Sequence, residues 1–210
     1  MSEFQHKGKK HMKKLIAIAA LASAAIATPA LAGTSVTGEV RLGDVRGGKA
    51  DSTEYRVEAW DGLYGVKVGA ELQAKQGANS GAVKGLLSAK AGLEGPAIAG
   101  VHSLAYVEVG QALSQKVSTT VAGRTTTTGG NHEFWGAGVK LKRDLIGPVA
   151  LTAGYRHREG FDGKDAMNEE RLHAGLALNV NDSTALGATY YRTRGTTNSD
   201  AVGLGITRKF

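Results

Sequence analysis

The sequence predicts an all-β fold: a transmembrane antiparallel up-and-down β-barrel of about ten strands. Three observations carry this. Ten segments between residues 34 and 210 alternate apolar and polar side chains with the two-residue period of a strand. The links between them alternate long and short, as in barrels with loops at one rim and tight turns at the other. No apolar run after residue 32 approaches the roughly 20 residues of a membrane helix. A membrane crossing must therefore be made by strands, whose backbone groups are all paired only when the sheet closes.

The N-terminal stretch supplies the expected compartment. Met12-Lys13-Lys14 is a short positive region, Leu15 to Ile26 an apolar run, and Ala30-Leu31-Ala32 a small-residue cleavage site. Together they predict a signal peptide over residues 12–32, with residues 1–11 a leader extension or tag and residues 33–210 the barrel. The formal charge of +7 suggests nucleic acid until it is located. Lys7, Lys9, Lys10, Lys13 and Lys14 against Glu3 place +4 of that +7 before residue 33 and leave +3 for the barrel. A nucleic-acid partner is not expected. The chain has no cysteine, which excludes disulfides and thiolate metal sites.

In chain order, strands are expected at 34–43, 53–60, 63–73, 83–94, 98–110, 132–143, 148–158, 170–180, 184–194 and 201–210. The connections between these spans are 9, 2, 9, 3, 21, 4, 11, 3 and 6 residues, an alternation that a soluble β-sandwich has no reason to keep. Asp61-Gly62 is a preferred two-residue hairpin turn and would set Trp60 opposite Leu63. Arg56 and Glu58 then share a face with Lys67 and Glu71, while Tyr55, Val57, Val66 and Val68 take the other. Later strands repeat the pattern: Leu87, Ala89 and Ala91 against Ser88 and Lys90, and Leu172, Ala174 and Leu176 against Arg171 and His173. Alternation alone does not tell inside from outside. The signal peptide and the aromatic residues at strand ends do. Tyr55, Trp135, Tyr155 and Tyr190 fall near the outer end of the apolar band, and Tyr64 and Phe210 near its inner end, as an interfacial girdle would.

The last strand, Ala201–Phe210, puts Val202, Leu204, Ile206 and finally Phe210 on or at the end of one face. With the leader and the alternating strands, this resembles the small bacterial outer-membrane β-barrel proteins over the whole of residues 33–210. The resemblance implies residence in the outer membrane of a Gram-negative bacterium as a monomer among lipid and lipopolysaccharide. It also implies that Phe210 is part of the signal read by the barrel-assembly machinery, and no cofactor is implied.

The expected lumen carries a network of Glu39, Arg41, Arg56, Glu58, Lys67, Glu71, Lys90, Glu94, Glu108, Lys140, Lys142, Arg156 and Arg171. Charges of both signs in a confined interior must be paired or hydrated. The first reading is thus a structural barrel filled by salt bridges, or a narrow porin-like channel. A second is a surface-binding barrel acting through a hairpin at 111–131, where β-branched residues flank Ala122-Gly123. Its partner would be lipopolysaccharide or a host or partner protein; Lys116 and Arg124 there, with Arg156, Arg158, Arg192 and Arg194 at outer strand ends, are candidates for lipopolysaccharide phosphates. A third is a hydrolase at the outer rim, from His132-Glu133 and His157-Arg158-Glu159 with Asp162 and Asp165. The Asp-x-Asp and Asp-x-His elements of the ten-stranded omptin proteases and the His-x-Ser of lipid A deacylase barrels do not occur, so no catalytic residue is assigned. No two histidines have metal-ligand spacing.

Overall fold

The computed structural model describes residues 33–44, 50–77, 83–121, 124–161, 168–196 and 198–210. The expected leader (residues 1–32), the Ala122-Gly123 turn, and Asp162 and Asp165 lie outside the described residues. Ten strands run β1 Ser35–Gly43, β2 Ser52–Leu63, β3 Val66–Gly77, β4 Val83–Ile98, β5 Val101–Val121, β6 Arg124–Asp144, β7 Val149–Gly160, β8 Glu169–Asn181, β9 Thr184–Gly195 and β10 Ser199–Lys209. Each pairs antiparallel with its sequence neighbour, and β1 pairs with β10 from Ser35↔Lys209 to Gly43↔Ala201, closing the barrel. The ladder runs one step past β10, where the Phe210 amide donates to the Thr34 carbonyl at 2.9 Å.

Two tight turns differ from the sequence expectation. The chain reverses at Tyr64-Gly65 rather than Asp61-Gly62, and at Ala99-Gly100 rather than 95–97. In each pair both residues have positive φ (53° and 82°, 50° and 75°), as a type I′ turn requires. Moving the first turn outward adds the cross-strand pairs Asp61↔Val68, Gly62↔Lys67 and Leu63↔Val66. Their ladder bonds offset the cost of a non-glycine residue in left-handed geometry. The second shift draws Pro96 into β4, where a bulge between Gly95 and Ile98 accommodates the missing N–H. Tyr64 consequently leaves the apolar wall and stands 95 % exposed at the turn, which corrects its expected place in the girdle.

The faces themselves are as the alternation predicts. Trp60 pairs with Gly69 instead of Leu63, six residues along; an even shift leaves every side chain on its original face. Val68, Leu87, Val107, Leu151, Leu176 and Leu204 are exposed on the outside, whereas Glu39, Arg41, Glu58, Glu71, Lys90 and Glu108 are buried inside. A water-soluble domain has the reverse arrangement. Tyr55, Trp135, Tyr155 and Tyr190 alternate onto the outer wall with these apolar residues.

β5 and β6 are the longest strands, 21 residues each. β4 pairs with β5 only as far as Ser114, and β7 with β6 only as far as Phe134. Farther out, the strand pairs among the described residues join β5 and β6 to each other, from Val117↔Thr128 to Val121↔Arg124, as the β-branched composition suggests.

Candidate functional site

Acidic and basic residues recur two apart on the inward face of successive strands. Glu39 and Arg41 lie on β1, Glu54, Arg56 and Glu58 on β2, Glu71 on β3, and Lys90 on β4. Glu108 lies on β5, Lys140 on β6, Arg156 and Arg158 on β7, and Glu169 and Arg171 on β8. Closure carries these side chains across the lumen into one network of six carboxylates and seven cations.

Glu71 is its centre. Its carboxylate accepts from Arg56 Nε and Nη2 (3.0 and 2.8 Å), Lys90 Nζ (2.5 Å), Arg156 Nη1 (3.2 Å) and Arg158 Nη2 (3.0 Å), and from the Gln73 amide. Glu58 takes Lys90 at 2.6 Å, Arg56 at 2.7 Å and Lys140 at 2.5 Å. Glu108 holds Arg158 through two bonds, Nε at 2.7 Å and Nη2 at 2.9 Å. Glu39 binds Arg41 at 2.8 Å and accepts from the Tyr191 hydroxyl. Glu54 binds Arg41 at 2.6 Å, and Glu169 binds Arg156 at 2.6 Å and Arg171 at 3.3 Å. The side chains of Glu71, Glu108 and Lys90 have no exposed area and Arg158 only 1 %. The network is a plug across the lumen.

Aromatic side chains pack against it. Phe134 lies fully buried with the Arg158 guanidinium 4.8 Å from its ring centre. Trp60 and Tyr106 meet edge to face at 5.6 Å, with Lys140 Nζ 5.0 Å from the Trp60 ring. They fit because glycines face them: a Cβ on Gly69 would stand 2.8 Å from the Trp60 ring.

The structure brings together Glu39, Arg41, Arg56, Glu58, Glu71, Lys90, Glu108, Lys140, Arg156 and Arg171 of the sequence-predicted network. It does not bring in the others. Lys67 and Glu94 pair with each other at 3.6 Å near the tight-turn rim, and Lys142 pairs with Asp144 at 2.8 Å. The plug also contains Glu54 and Glu169, which sequence reading missed. Their signal was present, since each stands two residues before an inward arginine. Arg156 and Arg158, offered above for lipopolysaccharide, are buried in the plug, which corrects that expectation. Of the rim-hydrolase residues, His157 stands on the outer face 3.9 Å from Glu159 with its ring 5.8 Å from Trp135, while His132 alternates with Phe134 onto the inner face. Among the described residues no three His, Cys, Asp or Glu side chains are grouped to hold a metal ion.

Toward the tight-turn end the lumen changes character. Thr37, Thr152, Thr189 and Thr207 with Gly187 and Gly205 replace the long charged side chains, and Thr37 and Thr207 hydrogen-bond at 2.9 Å. A cavity of about 190 Å³ lies between this region and the plug, joined by a second of about 120 Å³ that shares several of its walls.

No family model and no curated protein compared with the chain matches it. Solved structures do match in fold. The β domain of the Bordetella autotransporter BrkA aligns with a TM-score of 0.54 at 11% identity, over 85% of this chain and 99% of that one. The KdgM porin in complex with disordered oligogalacturonate gives 0.49 at 7% identity, covering 84% and 99%. The translocator domain of the autotransporter NalP from Neisseria meningitidis gives 0.48 at 12%, covering 95% and 96%. The closed antiparallel barrel, ten-stranded here, is thus shared with the BrkA β domain, and at such identity the likeness extends to fold alone.

Proposed function

We propose that the protein is a structural outer-membrane barrel, porin-like in architecture, whose lumen is closed at rest by the ion-pair plug. The observation that carries this reading is the absence of exposed side-chain area at Glu71, Glu108 and Lys90. Charges packed this tightly leave no hydrated path for an ion, and a barrel this small is one that side chains can fill. The apolar outer wall fits lipid, and Phe210, at the end of the closing ladder, suits a role in assembly. In planar bilayers the purified, folded protein should give no discrete conductance steps. Regular steps would instead establish a narrow channel.

A second reading rests on the β5–β6 hairpin, which among the described residues runs about seven residues of β5 past its last pair with β4, roughly 20 Å at the rise of a strand. In this reading it is a surface-binding element, with Lys116 and Arg124 on it and Arg192 and Arg194 on the outer wall meeting lipopolysaccharide phosphates. Deleting 116–128 should lower adsorption of the folded protein to lipopolysaccharide vesicles several-fold while its gel mobility still changes on boiling. Unaltered adsorption would remove this role.

A further inference from the structure

The cavity below the plug has a one-signed lining. Arg41, Arg56, Lys140, Arg156, Arg171 and His173 contribute to it, with threonine and tyrosine side chains completing the wall and no carboxylate among them. Glu39 enters only the adjoining smaller cavity. Two of the arginines in the larger lining each keep a buried donor without a hydrogen-bond partner, Arg156 Nε and Arg171 Nη1. Their nearest carboxylate oxygens stand at 3.9 Å on Glu108 and 3.7 Å on Glu54, too far to accept. Both residues are largely buried, with side chains 6 % and 11 % exposed, a costly place to leave an N–H unpaired.

We propose that this vestibule binds a small oxyanion, of the phosphate or dicarboxylate class, entering from the tight-turn end. Three features select that chemistry. The plug holds one more cation than carboxylate, so an anion completes its charge, whereas water would satisfy the N–H groups and leave the excess. Guanidinium donors match the oxygen spacing of carboxylates and phosphates better than a halide. The way in is open in shape: Ala185, Gly187, Gly205 and Thr207 line the smaller cavity toward the rim, and a Cβ added at Gly187 would meet only a backbone oxygen 3.8 Å away. The inference concerns the resting cavity and does not depend on whether the barrel conducts.

Calorimetric titration of the detergent-folded barrel with inorganic phosphate, and separately with succinate, in chloride buffer of constant ionic strength tests this. One of the two should bind saturably at a single site, and the better ligand identifies the class. Arg171→Gln should weaken that binding at least tenfold. Thr189→Leu fills the vestibule while keeping every charge and should weaken it as much; it carries the test if Arg171→Gln does not fold, folding being read from gel mobility before and after boiling. Arg143→Gln, which removes an exposed outer-wall cation, should leave binding unchanged. No saturable heat with either anion, binding that survives Thr189→Leu, or binding lost with Arg143→Gln would each overturn the proposal.

Discussion

Replacing Glu71 with alanine should lower the stability of the folded barrel by about 3–5 kcal/mol, the usual cost of breaking a buried ion pair by removing one partner. Glu71 is the acceptor shared by Arg56, Lys90, Arg156 and Arg158. Each of those cations keeps another carboxylate: Glu58 for Arg56 and Lys90, Glu169 for Arg156 and Glu108 for Arg158. The network would nevertheless hold five carboxylates against seven cations, and the vacancy would open at its centre, where Lys90 and Glu108 have no exposed side-chain area. Lys142→Ala is the matched control. Its pair with Asp144 is 2.8 Å long but solvated at the rim, so its loss should cost no more than about 1 kcal/mol. Both values can be read from urea unfolding of the barrel in lipid vesicles. If the two substitutions cost the same, the lumen is hydrated and the charges are screened, contrary to the packing seen here.

Val107→Arg should destabilise the vesicle-inserted barrel by about 2–4 kcal/mol, as cationic substitutions do near the middle of a lipid-facing wall. Val107 is exposed on β5, paired with Ala91 on one side and Ala137 on the other, in the middle of an apolar surface. Facing water, the same substitution would fall within about 0.5 kcal/mol. Folding of the variant into vesicles with unchanged urea sensitivity would mean that this face does not meet hydrocarbon, and the reading of the whole outer wall would fall with it.

How much of this was legible beforehand varies with the kind of fact. Strand positions and faces follow from a period of two, and they tolerate error: the first hairpin turns at Tyr64-Gly65, three residues beyond the preferred Asp61-Gly62, yet Arg56, Glu58, Lys67 and Glu71 remain on one face. The turns themselves were less legible. Local turn preference competes with the extra ladder bonds that a longer hairpin forms, and the ladder prevailed at both Tyr64-Gly65 and Ala99-Gly100. The extended β5–β6 hairpin was readable from its run of threonines and valines, because β-branched residues favour strand geometry without help from distant contacts.

The chain alone determined that one side of each strand is ionic and the other greasy, because side-chain direction along a strand is a local property. Which charges meet was decided only by closure. Lys140 reaches Glu58 and Arg158 reaches Glu71 across the lumen, whereas Lys67 and Glu94, on the same inward faces, pair with each other near the rim. Height along the barrel depends on the stagger between strands, and reach across it on the curvature of the whole sheet; neither is written in the spacing of residues within any single strand.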